Sequence, residues 1–592
     1  MNAGTQKISD IFNQARLLHI PYYQRAYVWG EKEWNQLLDD LKHLSSNPRP
    51  YFIGSMILKQ IVTPTGSIGD QRVVIDGQQR LTTITVFFKV LSLFTYPALF
   101  DTFITKAYGS SGVSTVFTLK HNRIDEPYFN QVLNKTTTNH LLLKNKKNYI
   151  DATTKAIIKS PNQITLLYEF LLDEFSKNLT KYNIPEILKN VTFVLIDLDP
   201  NDDEQQIFDT TNSLGVRLTT SELLKNYFFD ASTINDFNTH WLPIFEKDKD
   251  CKDYWDQEIV AGTKRPHLID LFFYAFLLIK IHDTSTYSVN ATDKKEYMRM
   301  EDLFQSYKDF INKYYNGDKL KLVKEATSYA TIFMDNFDPD ARLKAIPSTS
   351  GMERMSLLAF SMDCVTIIPY LLYVLVKQPI DNERTDLFDA IEIYMMRRII
   401  CHSDTRNYNS LFYDNLLANK VITRADFIKQ INGQSGTTLK YPSDTEVQNA
   451  VDTQVLVNKQ NTGILYMLES RIRPATSATN LLGLNSYSLE HLMPKKWQQK
   501  WPSVPQAIAN LRNDLLYTLG NLAIIPMKLN TSISNGIWAD KLSGKGNKPG
   551  LISCASGLIT LAPYLSKSNW DENEIQNRAN ELYKKIIAEW KF

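Results

Sequence analysis

The chain has 592 residues, 43% hydrophobic and 22% charged, with a net charge of +2. That length exceeds a single hydrophobic core and points to roughly two to four domains, while the composition excludes a largely disordered chain. Four scattered cysteines without a C-x-x-C pair exclude a zinc knuckle and a disulfide framework and fit a reducing cytoplasm. The first residues lack an apolar signal core. The most apolar stretches, 268–281 and 366–376, fall short of the ~20 residues of a membrane span and read as buried helices.

In chain order, residues 33–44 have helical spacing, with Trp34, Leu37, Leu38, Leu41 and Leu44 on one side. Residues 51–58 are a short apolar run, followed by a loop with Pro64, Gly66 and Gly69; residues 72–75 are a buried strand. A helix is expected from Gln78 to about Tyr96, where Pro97 stops it. Residues 98–190 read as mostly helical, and 191–198 as an apolar strand. A helix through Gln205, Ile207 and Phe208 leads to Asn212, and Thr219–Glu222 fits a capping box opening the next helix. From 235 to 480 helix follows helix, with a loop at 430–443. Short strands and helices follow from 481, and a last helix spans 571–590.

Two constellations carry chemistry. The first is Val73-Val74-Ile75-Asp76-Gly77-Gln78-Gln79-Arg80, a strand running through Asp-Gly into a helix. The free N–H groups at the helix start make an anion site, and Gly77 lets a phosphate approach the backbone. Arg80 is placed to contact a phosphate, Asp76 to hold a metal or water, and Gln78 and Gln79 to orient a nucleophile or read a base. The plainer alternative is that Asp76 is an N-cap and Arg80 a surface ion-pair partner. No G-x-x-x-x-G-K-[ST] loop occurs.

The second is Glu490-His491-Leu492-Met493-Pro494, followed by Gly520-Asn521-Leu522 and Asn530. A metal-assisted ββα nuclease needs a histidine base at a strand end, a polar residue on the next strand to fix it, and a hard cation. His491, the only histidine after residue 403, is the candidate base and Asn521, on an expected 519–525 strand, its orienting partner. Glu490 is the candidate carboxylate for the metal, and Asn530 opens the following helix. Residues 491–550 hold eight Lys/Arg, among them Lys495, Lys496 and Lys541, against Asp514 and Asp540, a local +6 that suits a phosphate backbone or a plain solvated basic surface.

Four motifs in order over residues 8–230 resemble the GmrSD family of modification-dependent (type IV) restriction endonucleases: 20–29 (IPYYQRAYVW), 52–55 (FIGS), 75–83 (IDGQQRLTT), and Phe208 to Leu218 with Leu224-Lys225-Asn226. The second constellation, with Ser534-Asn535 and Lys541, is similar to the family's C-terminal nuclease domain. Tyr394-x-x-Arg397-Arg398 and Tyr408-Asn409-x-x-Phe412 resemble the segment before it. The resemblance implies an α+β, multidomain chain: a ParB/sulfiredoxin-like α/β NTPase or sensor domain at 1–235, a helical connecting region at 236–385, and a C-terminal region at 386–592 with an HNH core at about 481–550. Asp76, Gly77, Gln78, Gln79 and Arg80 would form the nucleotide site, with Gln24, Arg25 and Asn212 beside it, and Asp76 and Arg80 would serve NTP hydrolysis. His491 would be the base, Asn521 its orienter, and Glu490, Asn530 and Asn535 metal ligands. Lys495, Lys496 and Lys541 would contact DNA. Asn530 at the third HNH position implies oxygen-coordinated Mg²⁺ or Mn²⁺ rather than Zn²⁺.

The leading expectation is a cytoplasmic, NTP-regulated, metal-dependent endonuclease acting on modified phage double-stranded DNA. One such centre cuts one strand, so a double-strand break needs a homo-oligomer or two visits. The alternatives are a ParB-like NTP-dependent DNA sensor that does not cut, and a triggered nuclease toxin acting on host DNA.

Overall fold

The structure is a computed structural model and describes residues 2–13, 16–63, 70–108, 114–145, 148–200, 202, 219–229, 232–262, 264–282, 287–474, 476–477, 479–533 and 535–592. The chain is mixed α+β and divides into two units, Met1–Thr239 and His240–Phe592. The expected boundary at 235/236 lies near that division, whereas the helix Asp381–Ile400 runs through the one expected at 385/386.

The N-terminal unit is built on a six-stranded mixed sheet. Its strand order is Asn2–Lys7, Val191–Leu198, Tyr51–Gln60, Gln71–Asp76, Leu17–His19 and Leu119–Lys120. The central strands Tyr51–Gln60 and Gln71–Asp76 are antiparallel, and Val191–Leu198 joins Tyr51–Gln60 in parallel. Helix Glu31–Ser46 buries the five apolar residues its spacing marks. Helix Gln78–Phe94 follows the fourth strand directly and is buried on nearly every side. Its threonines tolerate this because Thr82, Thr83 and Thr85 donate to the carbonyls of Gln78, Gln79 and Leu81. Pro97 ends it as expected and also starts a new helix, Pro97–Ile104. Residues 98–190 carry more strand than expected, with small antiparallel sheets at 105–117 and 142–158 between the helices. Those strands are two to four residues long, too short to show a period of two in the sequence. The motif around Phe208 and the expected helix at 205–212, with Asn212, fall outside the described residues.

Residues 20–29 are held by buried polar side chains rather than by regular structure. Asp125 accepts from the Tyr27 N–H (2.6 Å), and Asn122 donates to the Arg25 carbonyl (3.0 Å). Trp34 donates to the Tyr27 hydroxyl (2.8 Å), which meets Thr83 (2.7 Å). His121 lies beneath: its Nδ1 accepts from the Asn122 N–H (3.1 Å), and its Nε2 meets Thr82 Oγ1 (2.9 Å), whose own proton goes to Gln78. These partners select a neutral imidazole with the proton on Nε2. Burial pushes its pKa down to about 3 from 6.5.

The C-terminal unit is mostly helical. Helix Leu268–His282 is buried along its whole length. Helix Asp381–Ile400 carries Arg397 and Arg398, both buried. Arg397 donates to the carbonyls of Pro442 (3.0 Å) and Trp590 (2.9 Å), and Arg398 to those of Thr438 (2.9 Å) and Lys440 (3.1 Å) and to the Tyr408 hydroxyl (3.0 Å). The Tyr-x-x-Arg-Arg motif therefore ties the 438–444 segment and the chain's last residues to one helix.

Because unfolded His121 titrates near 6.5 and the buried ring only near 3, its contribution to stability is full above pH 6.5 and is lost progressively below it. Urea unfolding followed in the N-terminal unit is expected to lose up to about 1.4 kcal/mol per pH unit from this residue between pH 6 and 4. His121→Gln should flatten that slope, and an unchanged slope would contradict the neutral buried ring.

Candidate active site

In the C-terminal unit, strand Tyr487–His491 runs antiparallel to Leu522–Pro526, with His491 opposite Leu522, and helix Met527–Ile533 follows at once. His491 ends its strand, where the chain turns away and the imidazole is only partly covered. Its ring meets Tyr517 edge to face, with centroids 5.6 Å apart. The Lys495 ammonium stands over the same Tyr517 ring at 5.2 Å. Burial, then the charges of Lys495 and Lys541, bring the His491 pKa down to about 4 from 6.5, so the ring is neutral and able to take a proton at neutral pH.

Asn521 lies just before the second strand, in a short 3₁₀ turn rather than inside a 519–525 strand, and is fully buried. Its oxygen accepts from the Met493 N–H (2.8 Å) and Trp570 Nε1 (3.1 Å). Its nitrogen donates to the carbonyls of Met493 (2.9 Å) and Leu516 (3.0 Å). The side chain fixes Met493, two residues after His491, while the Asn521 main-chain carbonyl accepts from the Leu492 N–H (2.9 Å); no hydrogen bond joins its side chain to the imidazole, so the expected direct contact is replaced by one through the backbone. From behind, Arg578 donates to the carbonyls of Leu519 (3.1 Å), Gly520 (2.9 Å) and Leu522 (2.7 Å). Gly520 sits so close to helix Glu572–Glu589 that a Cβ would lie 2.4 Å from the Ile575 carbonyl.

Two expected roles change. Lys541, expected on DNA, is fully buried; its ammonium pairs with Glu490 and donates to the His491 carbonyl (2.7 Å). Burial raises the Glu490 pKa and lowers that of Lys541, and their mutual attraction opposes both shifts. Glu490, expected on a metal, is thus engaged by a neighbouring cation. Asn530 donates to Ser488 Oγ (3.0 Å) and the Leu489 carbonyl (3.1 Å), which leaves its oxygen as the donor a hard cation can use. Asn535, Lys495 and Lys496 are exposed. Among the described residues no three His, Cys, Asp or Glu side chains form a metal-binding group. The donors fit a cation that keeps most of its waters.

In the N-terminal unit, Gly77 adopts φ +94°, and a Cβ there would lie 3.2 Å from Met56 Cγ, so only glycine turns the strand into the helix. Burial holds the Asp76 carboxyl above the usual carboxylate range, against the pull of the Gly77 N–H, Arg80 and Arg25. Gly54, at φ +124°, leaves room for Arg80: a Cβ would meet its Nε at 2.7 Å, and Arg80 donates to the Ser55 carbonyl (3.3 Å). The 52–55 and 75–83 motifs thus share one contact. Arg25 approaches Glu222 at 3.9 Å. Gln79, expected at the nucleotide, spends its amide on the backbone of Ala26 (3.3 Å) and Val28 (2.9 Å). Gln24 donates to the Ile75 carbonyl (3.2 Å). Both are structural ties within the motif set. Gln78 is different: its buried Oε1 has no hydrogen-bond partner among the described residues.

Sequence reasoning missed Tyr517, Arg578 and Trp570, and in the N-terminal unit His121, Asn122 and Asp125. None stands in a chemical motif; Tyr517, four residues before Asn521, carries no signal until the fold turns it toward His491.

Two family models match: the GmrSD restriction endonuclease N-terminal domain over residues 8–229, and the GmrSD C-terminal domain over residues 441–585. The chain belongs to the GmrSD family of type IV restriction endonucleases. No curated protein sequence matches it at a significant level.

Asn521→Ala would strand two carbonyls, an N–H and an indole N–H in the core. It is expected to cost about 3 kcal/mol or more and to abolish cleavage, whereas His491→Ala keeps its melting temperature. Equal melting temperatures for wild type and Asn521→Ala would refute the clamp.

Proposed function

We propose that the chain is an NTP-regulated, divalent-metal-dependent endonuclease that cuts modified foreign double-stranded DNA, with His491 as general base. One observation carries the nuclease half: a neutral, partly exposed imidazole at the end of the first strand of a ββα unit, with Asn530 of the helix tied to that strand. His491 accepts a proton from the attacking water. Lys541 holds its carbonyl and Asn521 holds Met493 two residues on, so the ring does not drift as the proton moves. Lys495, over Tyr517, and the neighbouring Lys496 offer positive charge to the phosphate. Asn530 Oδ1, with waters completing the shell, is the group that would hold Mg²⁺ or Mn²⁺, which when bound would supply charge against the developing phosphorane and leaving oxygen.

The NTP half rests on the helix start at Gln78. The first intrahelical bond runs from Leu81 to Gly77 (3.0 Å), so the N–H groups of Gln78, Gln79 and Arg80 lie ahead of the helical ladder. Arg80 supplies charge, Asp76 a proton-holding or water-holding carboxyl, and the unpartnered Gln78 Oε1 an acceptor for a donor on the ligand. Binding there is proposed to control cutting by the C-terminal unit. With no helix long and apolar enough to cross a membrane among the described residues, the proposed setting is the cytoplasm.

The test is cleavage of matched phage DNAs, modified and unmodified, with Mg²⁺ or Mn²⁺ and each NTP in turn. Wild type is expected to cut only the modified DNA. His491→Ala should lose about 10²–10⁴-fold in rate, and Arg80→Ala should lose the NTP response. No cutting of either DNA while NTP is still hydrolysed would favour a DNA sensor instead.

A further inference from the structure

With Lys541 buried, the exposed lysines a few residues on are the candidates left in this segment to meet a phosphate backbone. Strands Gly544–Lys545 and Lys548–Pro549 form a small antiparallel hairpin in which Lys545 and Lys548 stand directly opposite each other. Both are exposed, and no ion pair is described for either. Like charges directly opposite on paired strands repel and weaken the pair. Nothing within the described fold offsets that cost.

The hairpin is nevertheless firmly seated. A Cβ on Gly544 would lie 2.0 Å from the Lys548 carbonyl, and one on Gly550 would lie 2.3 Å from the Leu542 carbonyl, so both strand ends pack without space for a side chain. Gly544 at φ +89° ends helix Trp538–Ser543 and starts the first strand, and Gly546 at φ +62° takes the turn through the left-handed region. Ser532 Oγ donates to the Pro549 carbonyl at 3.3 Å, joining the hairpin to helix Met527–Ile533, which carries Asn530 and the exposed Lys528. The hairpin begins about one helical turn after Lys541, whose ammonium holds the His491 carbonyl.

We propose that this hairpin is a phosphate grip: Lys545 and Lys548 bind the DNA backbone flanking the phosphodiester presented to His491. A duplex carries one negative charge per about 1.7 Å of axis, and a phosphate between the two ammonium groups turns their repulsion into joint attraction. The inference rests on the nuclease reading for its orientation, but its test does not need cleavage.

The experiment uses full-length protein carrying His491→Ala and a 30-base-pair unmodified duplex in EDTA. Affinity is measured by fluorescence anisotropy across a salt series. The Lys545→Gln, Lys548→Gln pair is expected to reduce the slope of log K against log salt by about 0.9, as the loss of one shared phosphate contact requires. Lys420→Gln with Lys429→Gln, which removes equal charge elsewhere on the unit, should leave the slope unchanged. The hairpin variant should melt no lower than its parent, because only a repulsion is removed. An unchanged slope, an equal fall in the control, or a lower melting temperature with an unchanged slope would overturn the proposal. Cleavage by the His491-intact protein is read separately: a chain that cuts no DNA defeats the nuclease reading, while an unaltered salt slope defeats the grip alone.

Discussion

The C-terminal site depends on one buried amide. Asn521 joins the loop after His491, the turn before the second strand, and Trp570 ahead of the last helix. Each of its bonds is short and enclosed, where an unmet polar group is costly. Arg578 reinforces the same turn from the last helix, with three main-chain carbonyls around one guanidinium nitrogen. Strand, turn and helix therefore form one rigid frame, and the imidazole is positioned by its backbone rather than by a side-chain partner.

Charge is divided across that frame. Behind the strand, Glu490 and Lys541 pair in the interior, where removing either would strand the other. At the surface, Lys495, Lys496, Lys528, Lys545 and Lys548 are exposed. Partial burial, with the charges of Lys495 and Lys541, favours the neutral form of His491. One arrangement thus serves both requirements of the proposed chemistry: a surface that attracts polyanions and a base that stays unprotonated close to them.

Much of this was legible in the sequence, where the signal was local. The strand–Asp-Gly–helix turn, the capping box at Thr219, the buried helix at 268–282 and the last helix follow from periodicity, caps and breakers. The two-to-four-residue strands between 98 and 190 did not, because so few residues show no alternation. Motif residues proved harder to divide between scaffold and site. Gln79, Gln24, Arg397 and Arg398 look chemical in one dimension, yet they donate to main-chain carbonyls, and the two arginines also to Asp444 and the Tyr408 hydroxyl. Lys541 counted toward a basic surface until the fold buried it. What decides such cases is a partner 40 to 193 residues away, which spacing cannot reveal.

The proposed chemistry requires that the frame hold His491 as a neutral base. Its most direct measurement is an NMR titration of the ¹³C-labelled histidine rings in the full chain, with the His491 signal assigned by its loss in His491→Gln. A midpoint near 4, far below an ordinary 6.5, is expected, so the ring stays neutral at pH 6. A midpoint at or above 6.5 would mean that neither burial nor the neighbouring lysines govern the ring, and would contradict the frame as described.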